Sequence, residues 1–473
     1  MGFYLFLRLG ITALLLLIGA GAQAQLPAAL EEALKQARIP ASATALLVVD
    51  AQDASAAPRL QHRVDASMQA ASLMKLLTTY AALDLLGPTF SWRTPIYIDG
   101  PVRDGVLVGN LYIQGQGDPQ LVMERLWLLL RRVQGLGIRH INGDIVLDNS
   151  AFFVPDQDAA AFDGEALRPY NARPEALLIN YKSIAMTFTP EPSGSLARVQ
   201  YDPPLWGVQT QDSVPLGSGA CADFRATLKA DFSDPLHIRF GGTLPAICGE
   251  KVWSIAYADP ATYAPRAVQG MWRGMGAGLD GSTYWGTVPA KLLEAKPLLE
   301  WRSPPLAEVV REINKFSNNV MAQQVFLTLG REGGSGTARA EHSRAVLQKW
   351  WEARIGTEDA PLVDNGAGLS RSERFSAGAL GLLLQHAYRS PLMSELMASL
   401  PISGIDGTLV RSKARAGSAH LKTGSIQGVN AIAGYVDAAS GKRYAVVALI
   451  NHANAAGARP VLDALVDWAA QDK

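Results

Sequence analysis

The chain has 473 residues, of which 48% are hydrophobic and 18% are charged, as expected for a globular protein with two or more domains. Lysine plus arginine and aspartate plus glutamate each number 43, so the formal net charge is zero. A chain without net charge has no overall positive potential that would attract nucleic acid. It also has no excess of carboxylates that would indicate a cation-storage protein. We therefore expect no nucleic-acid partner.

The N-terminal 24 residues have the three parts of an export signal. Arg8 precedes an apolar run from Ile11 to Ile18, and a stretch of small residues then ends at Ala24. This pattern predicts a signal peptide, residues 1–24, and a periplasmic protein with no transmembrane segment after cleavage. An uncleaved anchor is the alternative, but the apolar run is shorter than the roughly 20 residues of a membrane-spanning helix. Loose association with the membrane stays open.

Two segments near the start of the mature chain predict regular structure. Residues 41–51, ASATALLVVDA, form an apolar run with β-branched residues and predict a strand. Residues 72–87, SLMKLLTTYAALDLLG, are apolar on nearly every side and stop at Gly87-Pro88. A helix without a polar face belongs at the centre of a core.

The middle of the chain changes in character. Segments such as VLVGNLYIQG and GDIVLDNSAF, separated by Gly, Asp and Pro, predict short strands and turns. Proline, glycine and aromatic residues are frequent from about Phe153 to Trp285, and few long helical patterns occur there. We therefore predict an inserted, mostly-β region over residues 93–289, with two subdomains.

Helical periodicity returns after this region, over Pro305–Gly330 and Ser376–Leu400. The segments VNAIAGYVDA and RYAVVALIN then predict adjacent strands, and a helix over Pro460–Ala470 closes the chain. The predicted class is α+β. Residues 25–92 and 290–473 would form one discontinuous domain, and a functional site is expected where its halves meet the insertion.

The chain contains only two cysteines, Cys221 and Cys248. In an oxidising compartment such a pair predicts one disulfide, the alternative being two separate buried thiols. Neither cysteine has metal-ligand spacing to a histidine, and the seven histidines do not cluster. We predict no metal site and no cofactor.

The first chemical motif is Ser72-Leu73-Met74-Lys75. Positions i and i+3 share one face of a helix, so the Lys75 amine can reach the Ser72 hydroxyl. Serine is a poor nucleophile unless a nearby neutral amine accepts its proton. Burial and a second ammonium group, that of Lys422, are expected to keep Lys75 neutral. Alone, this motif also fits a solvated Ser and Lys, but the helix around it is strongly apolar.

Two further motifs follow in order. Ser317-Asn318-Asn319 lies at a break between two helical segments, where a hydroxyl and an amide can point into one cleft; a helix-capping serine is the alternative. Lys422-Thr423-Gly424-Ser425 lies in a predicted strand, and the bare Gly424 lets a peptide lie along its edge. Lys422 and Thr423 suit a terminal carboxylate, although a surface strand with a turn glycine would look the same.

The three motifs in this order resemble the penicillin-binding protein and serine β-lactamase superfamily. The segments ASLMKLLTTYAALDLLGP, QGQGDPQL, DNGAGLSR, PISGIDGTL and HLKTGSIQGVNAIAGY resemble the penicillin-binding protein 4 group, the D-alanyl-D-alanine carboxypeptidase/endopeptidases. The likeness runs from about Ala41 to the C-terminus. It implies a β-lactamase/transpeptidase-like domain, an antiparallel sheet flanked by helices, with a large β-rich insertion. It also implies that peptidoglycan stem peptides are the substrates and that β-lactams are covalent inhibitors.

The resemblance assigns roles to individual residues. Ser72 becomes the acylated nucleophile, Lys75 its general base and Ser317 a proton relay, and the backbone N–H groups of Ser72 and Ser425 become the oxyanion hole. The residues implied to bind substrate are Asn319, Lys422, Thr423, Gly424, Ser425, Asp163, Arg371 and Gln427. Ala367 stands where the group usually has serine in DGSGLS, and Asn318 fills the middle of S-x-N, but neither change removes a reacting group.

Two other functions compete with this interpretation. A β-lactamase would share the acylation step, but the 245-residue separation of Ser72 and Ser317 (317 minus 72) and the lack of Tyr-x-Asn oppose it. A non-catalytic protein that binds peptidoglycan or β-lactams could tolerate loss of Ser72 or Lys75, yet all three motifs are intact. The balance between carboxypeptidase and endopeptidase action stays open at this stage.

Overall fold

The computed structural model describes residues 26–192 and 194–472. The predicted signal peptide lies outside these residues. Within them, no helix combines the length and the apolar character needed to cross a lipid bilayer.

Helices occur in all parts of the described chain. In the described residues they are α1 (Ala28–Ala37), α2 (Met74–Leu86), α3 (Met123–Gly135), α4 (Phe224–Leu228), α5 (Pro260–Gly274), α6 (Ala290–Leu293), α7 (Leu306–Phe316), α8 (Asn319–Gly330), α9 (Ala340–Arg354), α10 (Ala377–Arg389), α11 (Met393–Ser399) and α12 (Arg459–Ala470).

The strands are concentrated in the middle and at the two ends. They are β1 (Thr44–Asp50), β2 (Leu60–His62), β3 (Arg93–Ile98), β4 (Val102–Arg103), β5 (Val106–Val108), β6 (Leu111–Gln114), β7 (His140–Asn142), β8 (Ile145–Asp148), β9 (Ser183–Pro190), β10 (Leu196–Asp202), β11 (Gln209–Thr210), β12 (Ser213–Gly217), β13 (Ala230–Asp231), β14 (His237–Phe240), β15 (Leu244–Pro245), β16 (Lys251–Ala256), β17 (Gly278–Leu279), β18 (Thr283–Gly286), β19 (Leu299–Arg302), β20 (Ala419–Ile426), β21 (Val429–Asp437) and β22 (Arg443–Asn451).

A five-stranded antiparallel sheet joins the two ends of the chain, in the order β2-β1-β22-β21-β20. Successive side chains of a strand point to opposite faces, so each strand contributes to two cores. On β1, Leu47 packs with helices α2, α7, α8 and α10, whereas Leu46 packs with α1 and α12. The predicted strands at both ends and the closing helix are confirmed.

The middle of the chain forms four further sheets of five, four, five and three strands, with orders β18-β8-β6-β3-β19, β17-β7-β5-β4, β15-β12-β10-β9-β16 and β11-β14-β13. Their apolar side chains build a core of their own, from Ile96 to Leu279. The α+β class and the β-rich insertion are confirmed, while the domain boundaries stay a prediction. A disulfide joins Cys221 to Cys248 within this region.

Helices α3 and α5 in this region were not predicted. Helix α3 buries Leu126, Leu129, Leu130 and Val133, which recur at helical spacing and cover one face. The frequent prolines and glycines between the strands masked this pattern, although it was present in the sequence.

Helix α2 lies at the centre of the larger core, as predicted. Every residue from Met74 to Leu83 is buried, including Lys75, Thr78 and Thr79. A lysine in such a position must have its amine hydrogen-bonded, because an unpaired buried charge is costly. The partners of that amine define the candidate site.

Candidate active site

Ser72 lies in a 3-10 turn, Ala71–Leu73, directly before α2. Two glycines allow other segments to approach this turn. A Cβ atom on Gly368 would overlap with the carbonyl group of Ala71, and one on Gly424 would lie 2.6 Å from the carbonyl oxygen of Ala70. Strand β20 therefore runs against the Ser72 turn at the one position of its Lys-Thr-Gly motif that has no side chain.

The Lys75 amine is fully buried and has three acceptors. It donates to Ser72 Oγ at 2.9 Å, to Asn319 Oδ1 at 2.6 Å and to the carbonyl oxygen of Ala367. Burial lowers the pKa of Lys75 from 10.5 to about 7, and the charge of Glu373 opposes this shift. A substantial neutral fraction is therefore present at neutral pH, as a proton acceptor requires.

Ser317 and Lys422 form a second hydroxyl–amine pair. Ser317 ends α7 in a left-handed conformation, with φ of 57°, and the Asn318 side chain accepts from the Met321 N–H at the start of α8. This sharp turn directs Ser317 towards strand β20, where Lys422 Nζ donates to its Oγ at 2.8 Å and to the Thr423 carbonyl oxygen at 2.7 Å. The helix-capping function belongs to Asn318 here.

The two amines oppose each other's protonation. Lys422 is fully buried, and this burial, together with the charge of Lys75, holds the pKa of Lys422 well below its usual range. Two adjacent buried amines cannot both carry a full charge at low cost. For Lys75, burial rather than a second ammonium is the main cause of the lowered pKa.

A cavity of about 300 Å³ opens beside Ser72. Its polar lining includes Ser72, Ser317, Thr408, Thr423, Ser425 and Arg459. Lys422 does not line the cavity, and its side chain is fully buried. Within the lining, Thr423 Oγ1 donates to Thr408 Oγ1 at 2.7 Å.

The sequence analysis did not identify Thr408 or Arg459. Thr408 follows Asp406, whose carboxylate accepts from Lys315 Nζ at 2.5 Å and from the Ile402 N–H at 2.7 Å. This ion pair joins the loop of Thr408 to α7, two residues before Ser317. The segment PISGIDGTL carried the resemblance and could have identified Thr408, whereas no motif marks Arg459.

Asp163, Arg371 and Gln427 lie in a connected group on the insertion side of the site. Arg371 donates to the Gln427 carbonyl oxygen at 2.8 Å, and its guanidinium lies 4.9 Å from the ring centre of Phe162. Asp163 accepts from Tyr170 Oη at 2.8 Å.

The backbone of Tyr170 links this group to the reacting residues, because its carbonyl oxygen accepts from Asn319 Nδ2 at 3.4 Å. A neighbouring cavity of about 520 Å³ is lined in part by Phe162, Asn171 and Arg371. The structure thus brings all the predicted site residues together, and their roles as substrate ligands stay a prediction.

The arrangement suits acyl transfer. A hydroxyl at the start of a helix touches a buried amine of lowered pKa, and a second hydroxyl–amine pair lies across the cleft. No group of three or more His, Cys, Asp or Glu side chains that could hold a metal ion occurs in residues 26–192 and 194–472.

Comparison with known proteins yields one family and several relatives. The model of the D-Ala-D-Ala carboxypeptidase 3 (S13) family matches residues 26–472. A D-alanyl-D-alanine carboxypeptidase of Actinomadura sp. (strain R39) is 29% identical over 392 residues, which cover 79% of this chain and 71% of that protein. The D-alanyl-D-alanine carboxypeptidase DacB of Haemophilus influenzae is 26% identical over 397 residues, 81% of this chain and 80% of that protein.

Solved structures share the fold. The crystal structure of penicillin binding protein 4 from Haemophilus influenzae covers 93% of this chain and 98% of its own, with a TM-score of 0.72 and 22% identity. A predatory endopeptidase of Bdellovibrio bacteriovorus, in complex with an immunity protein, covers 88% of each chain with a TM-score of 0.52 and 16% identity. At these identities the likeness supports the fold alone, including the β-rich insertion.

Proposed function

The chain belongs to the D-Ala-D-Ala carboxypeptidase 3 (S13) family, and from that premise we propose that it cleaves D-alanyl-D-alanine-type peptides of peptidoglycan through an acyl-enzyme on Ser72. The predicted family and the predicted serine-type hydrolase activity are confirmed by the match over residues 26–472 and by the carboxypeptidase relatives. The observation that carries the assignment of Ser72 is its 2.9 Å contact with the buried amine of Lys75.

In the proposed acylation step, Lys75 accepts the proton of Ser72 as the Oγ atom attacks the carbonyl carbon between two D-alanines. The new C–O bond forms, the C–N bond breaks, and the leaving amine receives, through Ser317, the proton that Lys75 took from Ser72. Ser317 is suited to this relay because Lys422 Nζ contacts its hydroxyl at 2.8 Å. Water then hydrolyses the ester and restores Ser72.

Charge that develops on the carbonyl oxygen needs fixed donors. We assign these to the backbone N–H groups of Ser72 and Ser425. Support comes from the close approach of their two segments, since a Cβ atom on Gly424 would lie 3.3 Å from the Ser72 nitrogen. A side chain at Gly424 would push the strand away and widen the oxyanion hole.

We assign the substrate's terminal carboxylate to the 300 Å³ cavity, at the part lined by Thr423, Ser425 and Arg459. Ser425 offers a hydroxyl donor there, Thr423 can offer another by releasing its bond to Thr408 Oγ1, and Arg459 offers a cation that lines the cavity. Lys422 acts through Thr423 and Ser317, because its amine is fully buried and hydrogen-bonded to both.

Mass spectrometry tests the proposed function directly. Incubation with a penicillin should add one drug mass to the intact protein, and peptide mapping should place the adduct on Ser72. Incubation with a stem pentapeptide ending in D-Ala-D-Ala should release D-alanine, and a D-centred cross-linked dimer tests endopeptidase action in parallel. An adduct on another residue, or binding of both peptides without cleavage, would contradict the proposal.

The acylation rate should depend on pH through Lys75. The neutral amine is the reactive form and its pKa is about 7, so the rate constant should be half-maximal near pH 7 and nearly constant above about pH 8. Below pH 7 it should fall about tenfold per pH unit, since the protonated fraction rises. Stopped-flow measurement of penicillin acylation over this range tests the prediction, with circular dichroism at each pH as the control for folding. A rate that rises towards acid pH would exclude Lys75 as the base.

The rate of deacylation distinguishes the proposed function from the β-lactamase alternative. A penicilloyl adduct that clears within seconds would favour a β-lactamase, whereas an adduct that persists favours a peptidase inhibited by the drug. The non-catalytic alternative predicts tight peptide binding without release of D-alanine. The intact hydroxyl–amine pair at Ser72 and Lys75 favours the enzyme.

We also propose that the protein acts in the periplasm, where peptidoglycan peptides are its partners and β-lactams its covalent inhibitors. The export signal predicted from residues 1–24 supports this location. The disulfide between Cys221 and Cys248 is consistent with an oxidising compartment.

A further inference from the structure

A buried carboxyl group behind Lys75 has no part in the mechanism above. Glu373 is 2% exposed. Its Oε1 accepts three backbone N–H groups, from Asp364 at 3.0 Å, Asn365 at 3.0 Å and Gly366 at 2.9 Å. Its Oε2 is buried without a hydrogen-bond partner. A buried carboxyl group with one unsatisfied oxygen lowers the stability of a fold, so its presence here indicates a role beyond packing.

The three N–H groups belong to a short segment, residues 364–368, which we name the 364–368 loop. This loop contacts the nucleophile helix at three consecutive residues. Thr78 Oγ1 donates to the Gly366 carbonyl oxygen at 2.6 Å, Lys75 Nζ donates to the Ala367 carbonyl oxygen, and Gly368 lies against Ala71. The position of the loop therefore decides where one of the three acceptors of the Lys75 amine lies.

Glu373 also acts on Lys75 through its charge. Its negative charge raises the pKa of Lys75, against the larger effect of burial. Burial raises the pKa of Glu373 itself, and the three N–H donors oppose that shift. Convergence of three donors on one oxygen favours the carboxylate form.

The other charged groups around this pair come from four places, and the first is Arg374, which donates to the carbonyl oxygens of Glu373 and Arg371 at 2.8 Å each. Strand β20 contributes Lys422, and the 364–368 loop contributes Asp364, whose charge raises the pKa of Glu373. Helix α9 contributes Arg344, which donates to the Asp364 carbonyl oxygen at 3.0 Å and lies 3.8 Å from its carboxylate. Helix α8 contributes only the uncharged Asn319. Glu373 is therefore the anion that offsets the burial of Lys75.

We propose that Glu373 is a positioning residue for Lys75: it fixes the 364–368 loop so that the Ala367 carbonyl group faces the amine, and it places a buried carboxylate behind that loop. The inference rests on the proposed function in one respect, namely that Lys75 is the base for Ser72. The inference adds Glu373, which lies outside the three motifs, to the residues that position the Lys75 amine.

Glu373→Gln separates the charge from the hydrogen bonds. The amide oxygen can still accept the three N–H groups, so the loop should stay in place and the acylation rate at high pH should change by less than about threefold. The part of the pH profile in which the acylation rate falls with acid is its acid limb. Loss of the negative charge should shift this limb to lower pH by about one unit, because Lys75 then holds its proton less tightly. Stopped-flow acylation by a penicillin measures both quantities, and the exposed Glu395→Gln is the matched control.

Glu373→Ala removes both contributions. We expect acylation at the optimal pH to slow by about tenfold to a hundredfold, since the Ala367 carbonyl group is no longer held against the amine. The melting temperature is measured alongside. A variant that melts earlier but acylates at the wild-type rate while folded would show a structural role only and would overturn the proposal. If this variant does not fold, the Gln variant decides alone.

The outcomes separate this inference from the proposed function. An acid limb in Glu373→Gln that coincides with that of the wild type would overturn the role of Glu373, even while Ser72 is acylated normally. Absence of any Ser72 adduct in the wild type would instead overturn the proposed function, and the role of Glu373 would fall with it.

Discussion

Ser72→Ala should abolish both peptide hydrolysis and covalent labelling by penicillin. The substitution removes the only atom that can form the acyl ester, so the expected loss of kcat is on the order of a millionfold, as for nucleophiles that act as part of a unit. The fold should be unchanged, because Ser72 contributes one side-chain contact, to Lys75 Nζ, and lines the cavity. Intact-protein mass spectrometry after penicillin exposure is the measurement.

The exposed Ser55→Ala is the control for this experiment, since Ser55 lies in a surface loop and donates hydrogen bonds to Asp53. It should be labelled and should release D-alanine at the wild-type rate. Labelling of Ser72→Ala at the wild-type rate would remove Ser72 from its role. Retained binding of the uncleaved peptide is expected and would show that the cavity survives the change.

Local spacing, together with the apolar helix around it, was enough to predict that the Ser72 hydroxyl and the Lys75 amine meet. Ser72 and Lys75 are three residues apart on one helix, and the strongly apolar residues around them require burial of the amine. Likewise, the break between α7 and α8 was readable from its polar residues. These features depend on contacts within one or two turns of chain, where sequence patterns are most informative.

The remaining parts of the site depend on contacts between distant segments. The Ala367 carbonyl group that accepts from Lys75 lies 292 residues away along the chain. A backbone carbonyl group leaves no mark on the sequence, and Glu373 is marked only as one charged residue among many. Pairing of the loop with helix α2 is set by the packing of Gly366 against Thr78 and Phe326, which no periodicity shows.

The insertion shows a different kind of failure. Helix α3 carries a clear amphipathic pattern, but it is flanked by short strands and turn residues that dominated the composition. Composition averaged over a long region favours its most frequent element and hides a single helix. The helix over Ala340–Arg354 was also not predicted, although it lies outside this region.

Lys75→Met should slow acylation by about a hundredfold to ten-thousandfold, the range that a positioned general base contributes. Methionine is similar in length and apolar, so it fits the space of the fully buried side chain. It removes an amine whose burial disfavours the charged form, but it leaves Asn319 Oδ1 and the Ala367 carbonyl oxygen without their donor, so the free energy of unfolding should fall by about 1–3 kcal/mol. A large loss of rate in a protein that still folds is therefore the expected combination.

The acid limb of the pH profile provides the more specific test of this variant. With Lys75 absent, residual acylation should no longer depend on a group of pKa about 7, and the limb should disappear rather than shift. The exposed Lys349→Met serves as the control and should keep both the rate and the limb. A Lys75→Met variant with the wild-type limb would show that another group accepts the proton. Lys422 would then be the candidate, since its amine is buried beside the same cleft and its pKa is lowered by the same burial.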